Sequence, residues 1–504
     1  MTGFEDPVLA SRDIAVIDIG SNSVRLVLYR LEGRAVWAVF NEKVLAGLGR
    51  DLAATGRLSK DGMTAALAAL KRFAAVIEGV RPAHTFAVAT AAVREAVDGH
   101  DFCDLVAAQT GLVVRILSGA EEARYSARGV LAGIPDAEGV TADMGGASLE
   151  LARISGGEAG PGITLPLGPF ALIDPDGFDA GRLRETIAER LKAAGDYRCP
   201  HLYAVGGAWR SIAQVHMDLT DYPLHIVHQY EISASAARDT ARLIARQSRT
   251  SLDKMAGVSR KRADTLPYAA LVLEGLIDRL GLKRITISAW GVREGLLFEA
   301  LDGDVAAADP LLAGCQALGA RQGISPTLPG ALNGWIQRLM QAAPDQGDHD
   351  RDAILTAAAC HLADLGARLH PDHRTELVFD QILRAPIPGQ THAERAFLAC
   401  ALNARYGGGA ATPQPVTVSR LLNDDQRLRA RTLGLAIRLA CDLSGRSPHL
   451  LANAGAAVDK GVLKLTALDG YADVLLGEQT RRRAKALADA MGLKLDMGRN
   501  TEAS

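Results

Sequence analysis

Two ten-residue stretches of this chain carry the same chemistry-bearing residues at the same spacing. The first is Ile17-Asp18-Ile19-Gly20-Ser21-Asn22-Ser23-Val24-Arg25-Leu26, and the second is Ala142-Asp143-Met144-Gly145-Gly146-Ala147-Ser148-Leu149-Glu150-Leu151. Asp18 matches Asp143, Gly20 matches Gly145, Ser23 matches Ser148, and Arg25 stands where the repeat has Glu150. Each copy reads as two apolar strands joined by a turn. Glycine lets backbone N–H groups approach and point at an anion, and hydroxyl and amide side chains add donors. Gly20, Ser21, Asn22 and Ser23 in the first turn, and Gly145, Gly146, Ala147 and Ser148 in the second, are therefore candidate phosphate ligands. The aspartates supply hard oxygens for a cation such as Mg²⁺, Asp143 first and Asp18 across the cleft second. Two such hairpins can close on one phosphate chain from opposite sides.

Cleaving a terminal phosphoanhydride also requires a polarised water and positive charge on the leaving chain. Glu121 and Glu122 open a helix after Ser118-Gly119. Neighbours on a helix diverge by roughly 100°, so one faces the cleft and the other solvent or a partner. Either can instead serve the positive end of the helix dipole. Glu150 shares the strand face of Ser148 and is a second candidate base, or a cation ligand. Arg94, at a strand-to-helix junction after Thr90, suits bidentate phosphate contact. Arg25 either balances charge in the cleft or lies behind it. Lys261, Arg262 and Arg293 could line the path of a long chain but read as ordinary helix charges. Trp209 and Arg210, after the Gly206-Gly207 turn, either obstruct a nucleoside base or stack on one. His349, His361, His370 and His373 form a metal-like cluster by composition, with core or surface roles fitting them better.

The bulk properties limit what surrounds this site. The chain has 504 residues, enough for more than one domain, and 48% apolar with 23% charged residues is an ordinary globular composition. A formal net charge of −2 argues against general nucleic-acid binding, so a polyanionic substrate must be held by a local basic cluster. The start, MTGFEDPVLASRD, lacks the basic and apolar regions of a signal peptide, and no apolar run approaches the ~20 residues of a membrane span. The cysteines Cys103, Cys199, Cys315, Cys360, Cys400 and Cys441 are widely spaced and read as reduced, buried thiols. A cytoplasmic enzyme without membrane or nucleic-acid partners is the expectation.

The elements that must position these residues follow from periodicity. Strands are expected at 14–19, 24–31 and 35–45, a helix at 59–79, a strand at Thr85–Ala89, a helix at 99–110 and a strand at Val113–Leu117. A helix then opens at Ser118. The second hairpin, 140–154, is followed by a strand at 161–168, a helix at 179–194, a strand at His201–Val205, helices at 232–248 and 259–281, a strand at Arg284–Ser288 and a last helix to Leu301. This order predicts an α/β chain with two RNase H-like (actin-type) domains, 12–137 and 138–302. Gly303–Pro310 is the expected connector, β-structure is expected to stop before it, and 311–500 reads as a helical domain. Thr501–Ser504 reads as disordered.

The motifs DIGSNSVRL at 18–26, ATAAVREA at 89–96, SGAEEARY at 118–125, DMGGASLEL at 143–151, LPLGPF at 165–170, AVGGAWRSIA at 204–213 and WGVREGLL at 290–297 together resemble the exopolyphosphatase/guanosine pentaphosphatase (Ppx/GppA) family. The stretch at 358–383 resembles that family's all-α HD-like C-terminal region, with a departure: His361 is followed by Leu362, not by Asp, so a second catalytic metal centre is not expected. The resemblance implies an Mg²⁺-dependent hydrolase, with Mn²⁺ as a substitute, that releases orthophosphate from the end of inorganic polyphosphate. It favours Glu122 as the group that orients and deprotonates water. It also implies a homodimer and leaves open the 5′-phosphate of guanosine pentaphosphate as substrate, with guanosine penta- or tetraphosphate as a partner. An ATP-dependent kinase or a non-catalytic nucleotide sensor of the same fold fits these residues less well.

Overall fold

The computed structural model describes residues 11–174, 177–323, 325–342 and 348–500, and the side chains of 499 and 500 are not described. The expectation for Thr501–Ser504 lies outside these residues. The chain divides into two compact units, Met1–Ala307 and Ala308–Ser504.

The first unit holds two sheets with a shared plan. In the five-stranded sheet, β1 (Ser11–Ile19), β2 (Val24–Glu32), β3 (Ala35–Val44), β4 (His84–Ala89) and β5 (Arg115–Ile116) lie in the order β3-β2-β1-β4-β5. In the six-stranded sheet, β6 (Gly139–Met144), β7 (Leu149–Ser155), β8 (Glu158–Leu165), β9 (His201–Val205), β10 (Glu231–Ser233) and β11 (Arg284–Ser288) run β10-β11-β9-β6-β7-β8. Each sheet therefore has an antiparallel meander of three strands whose first member pairs in parallel with the next strand, β1 with β4 and β6 with β9. This is the duplicated actin-type architecture that the element order predicts.

Helices cover the sheets. They include α1 (Lys60–Val80), α2 (Ala91–Glu95), α3 (Gly119–Gly133), α4 (Gly207–Leu219), α5 (Leu266–Leu280) and α6 (Val292–Glu299), of which α2, α3, α4 and α6 contribute residues to the site. Helix α3 serves both sheets. Its Ala123, Ala127 and Val130 pack with Ala152, Ile154, Tyr203 and Val205 of the second sheet. Its Tyr125 packs with Ile14, Val16, Val27 and Val88 of the first, together with Leu296 and Leu297 of α6. A helix with apolar contacts on opposite faces must be buried nearly all round, and α3 is. Two glycines set how closely it meets α6. A Cβ at Gly129 would lie 2.0 Å from the Gly291 carbonyl oxygen, and one at Gly295 would lie 2.0 Å from that of Tyr125.

Some boundaries differ from the sequence reading. The strand at Val113–Leu117 shrinks to Arg115–Ile116. The helix expected from 259 begins only at Leu266, with Pro267 in its first turn, where a missing N–H costs nothing. The one expected at 179–194 ends at Arg190 and continues as a 3₁₀ segment, Leu191–Tyr197. Glu231–Ser233 is an edge strand, and Ser233 caps the helix Ala234–Ala245 that follows.

The second unit is mainly helical. Its His392–Arg405 helix is buried except at Ala393 and Glu394, and Asp424–Ser444 is its longest helix among the described residues. The expectation that β-structure stops before 303 is corrected here. β12 (Ala454–Asp459), β13 (Val462–Leu468) and β14 (Lys494–Asn500) form a three-stranded sheet. Lys460 and Gly461, both at positive φ (46° and 78°), make the tight turn of the first pair. No helix among the described residues is long and apolar enough to cross a membrane. All six cysteines are free thiols.

Candidate active site

The two sequence hairpins have the same closing hydrogen bond. Gly20 N–H donates to the Ser23 carbonyl at 3.0 Å, and Gly145 N–H to that of Ser148 at 3.0 Å. Both turns open on one cleft, lined by Asp18, Gly20, Ser21, Asn22 and Ser23 from the first and Asp143, Gly145, Gly146 and Ser148 from the second. They approach closely: a Cβ on Gly146 would fall 3.2 Å from Ser21 Cβ and 3.1 Å from the Phe170 ring. Ala147 is the exception among the turn residues expected to hold phosphate. It lines an adjoining, more apolar cavity, and its carbonyl accepts from Gly168 N–H at 3.0 Å.

Helix α3 brings the carboxylate. Ser118 caps it and forms a capping box with Glu121. Glu121 is consumed there: its Oε2 accepts from Ser118 N–H at 2.9 Å, its other oxygen pairs with Arg115, and its pKa falls to about 2. Glu121 does not line the cleft, so the catalytic assignment made for it from sequence does not fit its position. Glu122, one residue on, does line it. Burial pushes the Glu122 pKa up to about 7, against the pull of Arg94. Arg94 is not among the cleft-lining residues. Its Nη1 donates to Glu122 Oε2 at 3.0 Å and to the Leu117 carbonyl at 2.9 Å, so it holds the glutamate where the sequence reading had it hold phosphate.

Glu150 is 1% exposed and lies behind the cleft wall, with neither oxygen in a well-formed hydrogen bond. Burial and the neighbouring Glu122 drive its pKa well up, Ser148 opposing. Of the two carboxyls, Glu150 is pushed up further, because Arg94 hydrogen-bonds Glu122 directly and acts on Glu150 only at a distance. Asp143 also rises, to about 6, from desolvation, offset by a 2.7 Å hydrogen bond from Ser126 Oγ and reinforced by Asp18.

The same cleft gathers six cations, Arg25, Lys43, Arg210, Lys261, Arg262 and Arg293, against the four carboxylates Asp18, Glu122, Asp143 and Glu294, although the chain as a whole is slightly acidic. Arg25 is thus in the cleft, steadied by Asn41 Oδ1 at 2.9 Å. Arg262 donates to the Gly207 carbonyl at 2.7 Å and to Ser211 Oγ at 3.1 Å. A Cβ at 207 would lie 2.1 Å from that guanidinium, so a larger residue there would have to push Arg262 aside. Partial desolvation, then Arg262, Arg25 and Arg210, lower Lys43 to about 8. Arg293, though desolvated, is held charged by Glu294, Tyr29, Asp18 and Asp143. Glu294 is itself fixed by Tyr29 O–H at 2.6 Å and Gly291 N–H at 2.9 Å.

Sequence reasoning missed Lys43 entirely. The signal was the cross-strand pairing of β2 with β3, which sets Lys43 opposite Arg25. It also treated Trp209 and Arg210 together. The structure separates them: Trp209 is buried with its indole N–H on the Ala142 carbonyl at 3.2 Å, while Arg210 lines the cleft.

Among the described residues, no three His, Cys, Asp or Glu side chains converge as a metal cage. Mg²⁺ needs no such cage, since it keeps waters and takes one or two carboxylates plus substrate phosphates. Asp18 and Asp143, which line one cleft together with the two hairpin turns, fit that donor set. In the second unit, Asp364 of the HD-like stretch is ion-paired with Arg446 at 3.4 Å, and His370 and His373 face each other with ring centroids 5.9 Å apart, without a metal set.

The fold is the duplicated actin-type architecture, with both hairpin turns opening on one cleft. The Ppx/GppA phosphatase family model matches residues 26–303, and the exopolyphosphatase C-terminal model matches 311–497. The chain belongs to the Ppx/GppA phosphatase family. It is 26% identical over 306 residues to exopolyphosphatase 1 of Mycobacterium leprae, covering 58% of this chain and 90% of that one. It is 25% identical over 446 residues to retrograde regulation protein 2 of Saccharomyces cerevisiae, covering 80% and 74%. Among solved structures, an exopolyphosphatase from Cytophaga hutchinsonii superposes with a TM-score of 0.53 at 23% identity, covering 58% of this chain and 98% of that one. An Aquifex aeolicus Ppx/GppA family member gives 0.51 at 23%, covering 57% and 97%.

Proposed function

We propose that this chain is an Mg²⁺-dependent exopolyphosphatase that removes the terminal phosphate of inorganic polyphosphate. The observation that carries the reading is the run of six cations along the same cleft as the two hairpin turns. A terminal phosphate needs only the turns, whereas the phosphates behind it need charge along the cleft.

The terminal phosphate sits between the N–H groups and hydroxyls of Gly20–Ser23 and Gly145–Ser148. Glu122 aligns a water and takes its proton as the new P–O bond forms and the bridging P–O bond breaks. The negative charge developing on the departing chain falls on Arg25, Lys43, Arg210, Arg262 and Arg293, with no side-chain reorganisation demanded at that moment. Asp143, with Asp18 opposite, would hold Mg²⁺, which when bound neutralises phosphate oxygens; Mn²⁺ would substitute. Arg94 keeps Glu122 ionisable in a buried setting, and Glu150 stays protonated behind it.

A second reading, hydrolysis of guanosine pentaphosphate, draws on the withdrawal of Trp209 into the core, which leaves Gly206, Gly207 and Ala208 open on the cleft where a nucleoside could lie. Phosphate release from polyphosphate and from guanosine pentaphosphate, measured side by side with and without Mg²⁺, tests both. Faster release from the nucleotide, at equal phosphate-end concentration, would reverse their order, and release independent of Mg²⁺ would remove the metal.

A further inference from the structure

We propose that Ser126 is a positioning residue that fixes the carboxylate of Asp143 with one oxygen tied back and the other turned to the cleft. The inference rests on Asp143 as the cation's ligand, the reading of the preceding section.

Ser126 lies one helical turn after Glu122 on α3 and is 1% exposed. A buried serine inside a helix commonly satisfies its hydroxyl on its own backbone, four residues back. Here the hydroxyl donates across to Asp143 Oδ2 at 2.7 Å, on a strand of the second sheet. Gly291 lies beside that contact. A Cβ at 291 would stand 3.5 Å from Asp143 Oδ2 and 3.6 Å from Ser126 Oγ. Oδ2 is thus engaged by Ser126 beside Gly291, a residue at the cleft margin. Oδ1 lies on the side of Gly206, 3.4 Å from where a Cβ of that residue would be, and Gly206 lines the cleft. Gly206 has a φ of +112°, a conformation that a side chain would strain, so the approach to Oδ1 stays open.

A carboxylate free to rotate about its last torsion offers a cation a shifting donor. One oxygen tied by a hydroxyl leaves the other as a single, aimed donor, the monodentate contact that the strict octahedral geometry of Mg²⁺ favours. Groups that orient a metal's carboxylate in this way typically alter metal affinity 10–100-fold. Helix α3 then delivers two parts of the machinery on one face, Glu122 and the residue that aims Asp143.

The test is Mn²⁺ binding to the full chain without substrate, followed by water-proton relaxation, for the unaltered protein, Ser126→Ala, Ser126→Cys and Asp143→Ala. Alanine is compatible with a helix interior, and the thermal midpoint checks that each variant is folded. Ser126→Ala is expected to weaken Mn²⁺ binding about 10–100-fold, to raise the Mg²⁺ concentration for half-maximal rate by a similar factor, and to recover most of kcat at saturating Mg²⁺. Ser126→Cys, with a weak S–H donor, is expected to fall between. If folded Ser126→Ala binds Mn²⁺ within twofold of the unaltered chain while Asp143→Ala loses binding, the hydroxyl only fills space and the inference is overturned. If Asp143→Ala itself binds Mn²⁺ normally, the metal assignment of the functional reading fails and takes this inference with it.

Discussion

In the first hairpin the strand leaving the turn sets Arg25 opposite Asp18, and in the second it sets Glu150 opposite Asp143. The turns themselves are alike to the closing hydrogen bond. The difference lies in what surrounds the paired residues. Arg25 stands in the cleft among other cations, whereas Glu150 is sealed behind it against Glu122. Asp143 has a hydroxyl on one oxygen, and Asp18 makes no side-chain hydrogen bond among the described residues. A duplicated backbone thus carries two different sets of side chains: one copy places a cation in the cleft, and the other a carboxylate held by a hydroxyl and a second carboxyl buried behind it.

The sharpest way to break this division is to neutralise the two buried glutamates separately. Glu122→Gln is expected to cut kcat about 10²–10⁴-fold with polyphosphate binding retained, as loss of a positioned base does. Glu150→Gln, which replaces a buried carboxyl behind the cleft that the proposed mechanism does not use as the base, is expected to retain more than about a tenth of the rate. Rates measured on both variants decide it: the opposite pattern makes Glu150 the base.

The aspartates come next. Asp143→Ala is expected to raise the Mg²⁺ requirement by about tenfold or more, and Asp18→Ala by less, because only Asp143 is oriented by a neighbour. An Mg²⁺ titration that treats the two alike would erase the distinction between the hairpins. Arg25→Ala removes a charged contact worth about 1.5–3 kcal/mol, so KM for polyphosphate is expected to rise by about tenfold or more with kcat changed less. An unchanged KM would put Arg25 outside the substrate path.

The smallest effect is in pH. The Glu122 pKa is raised to about 7, so its base form is lost as pH falls through that value, and kcat/KM is expected to have its acid limb near pH 7. Arg94 lowers this pKa, so Arg94→Gln is expected to move the limb to higher pH. A limb that stays in place in that variant would show that another group sets it.

The hairpins were legible in the sequence because two copies of one pattern constrain each other, whereas Glu122 was separated from Glu121 only by the family resemblance, the residues themselves leaving both open. What escaped was decided across strands and helices. Lys43 carries no motif and gains meaning only from its register with Arg25. Arg94 reads as a phosphate ligand by type, yet packing brings Glu122 within 3.0 Å of it first. Ser126 looks like any small residue in a helix. The C-terminal sheet was hidden by alanines, strong helix formers, in Ala454–Leu468. There the alternating burial of Leu463, Leu465 and Ala467 and the Lys460-Gly461 turn were the available signs.

The two glycines at the crossing of α3 and α6 invert the usual ranking of importance among residues. Gly129 and Gly295 touch no substrate, but a single added carbon at either would meet a main-chain oxygen at 2.0 Å, and a main-chain atom cannot swing aside as a side chain can. In a saturation library screened only for folded protein, Glu122 should accept glutamine and other neutral residues freely, while positions 129 and 295 stay glycine. The chemistry of this enzyme can be edited one residue at a time, whereas the joint that carries it is fixed in the alphabet itself.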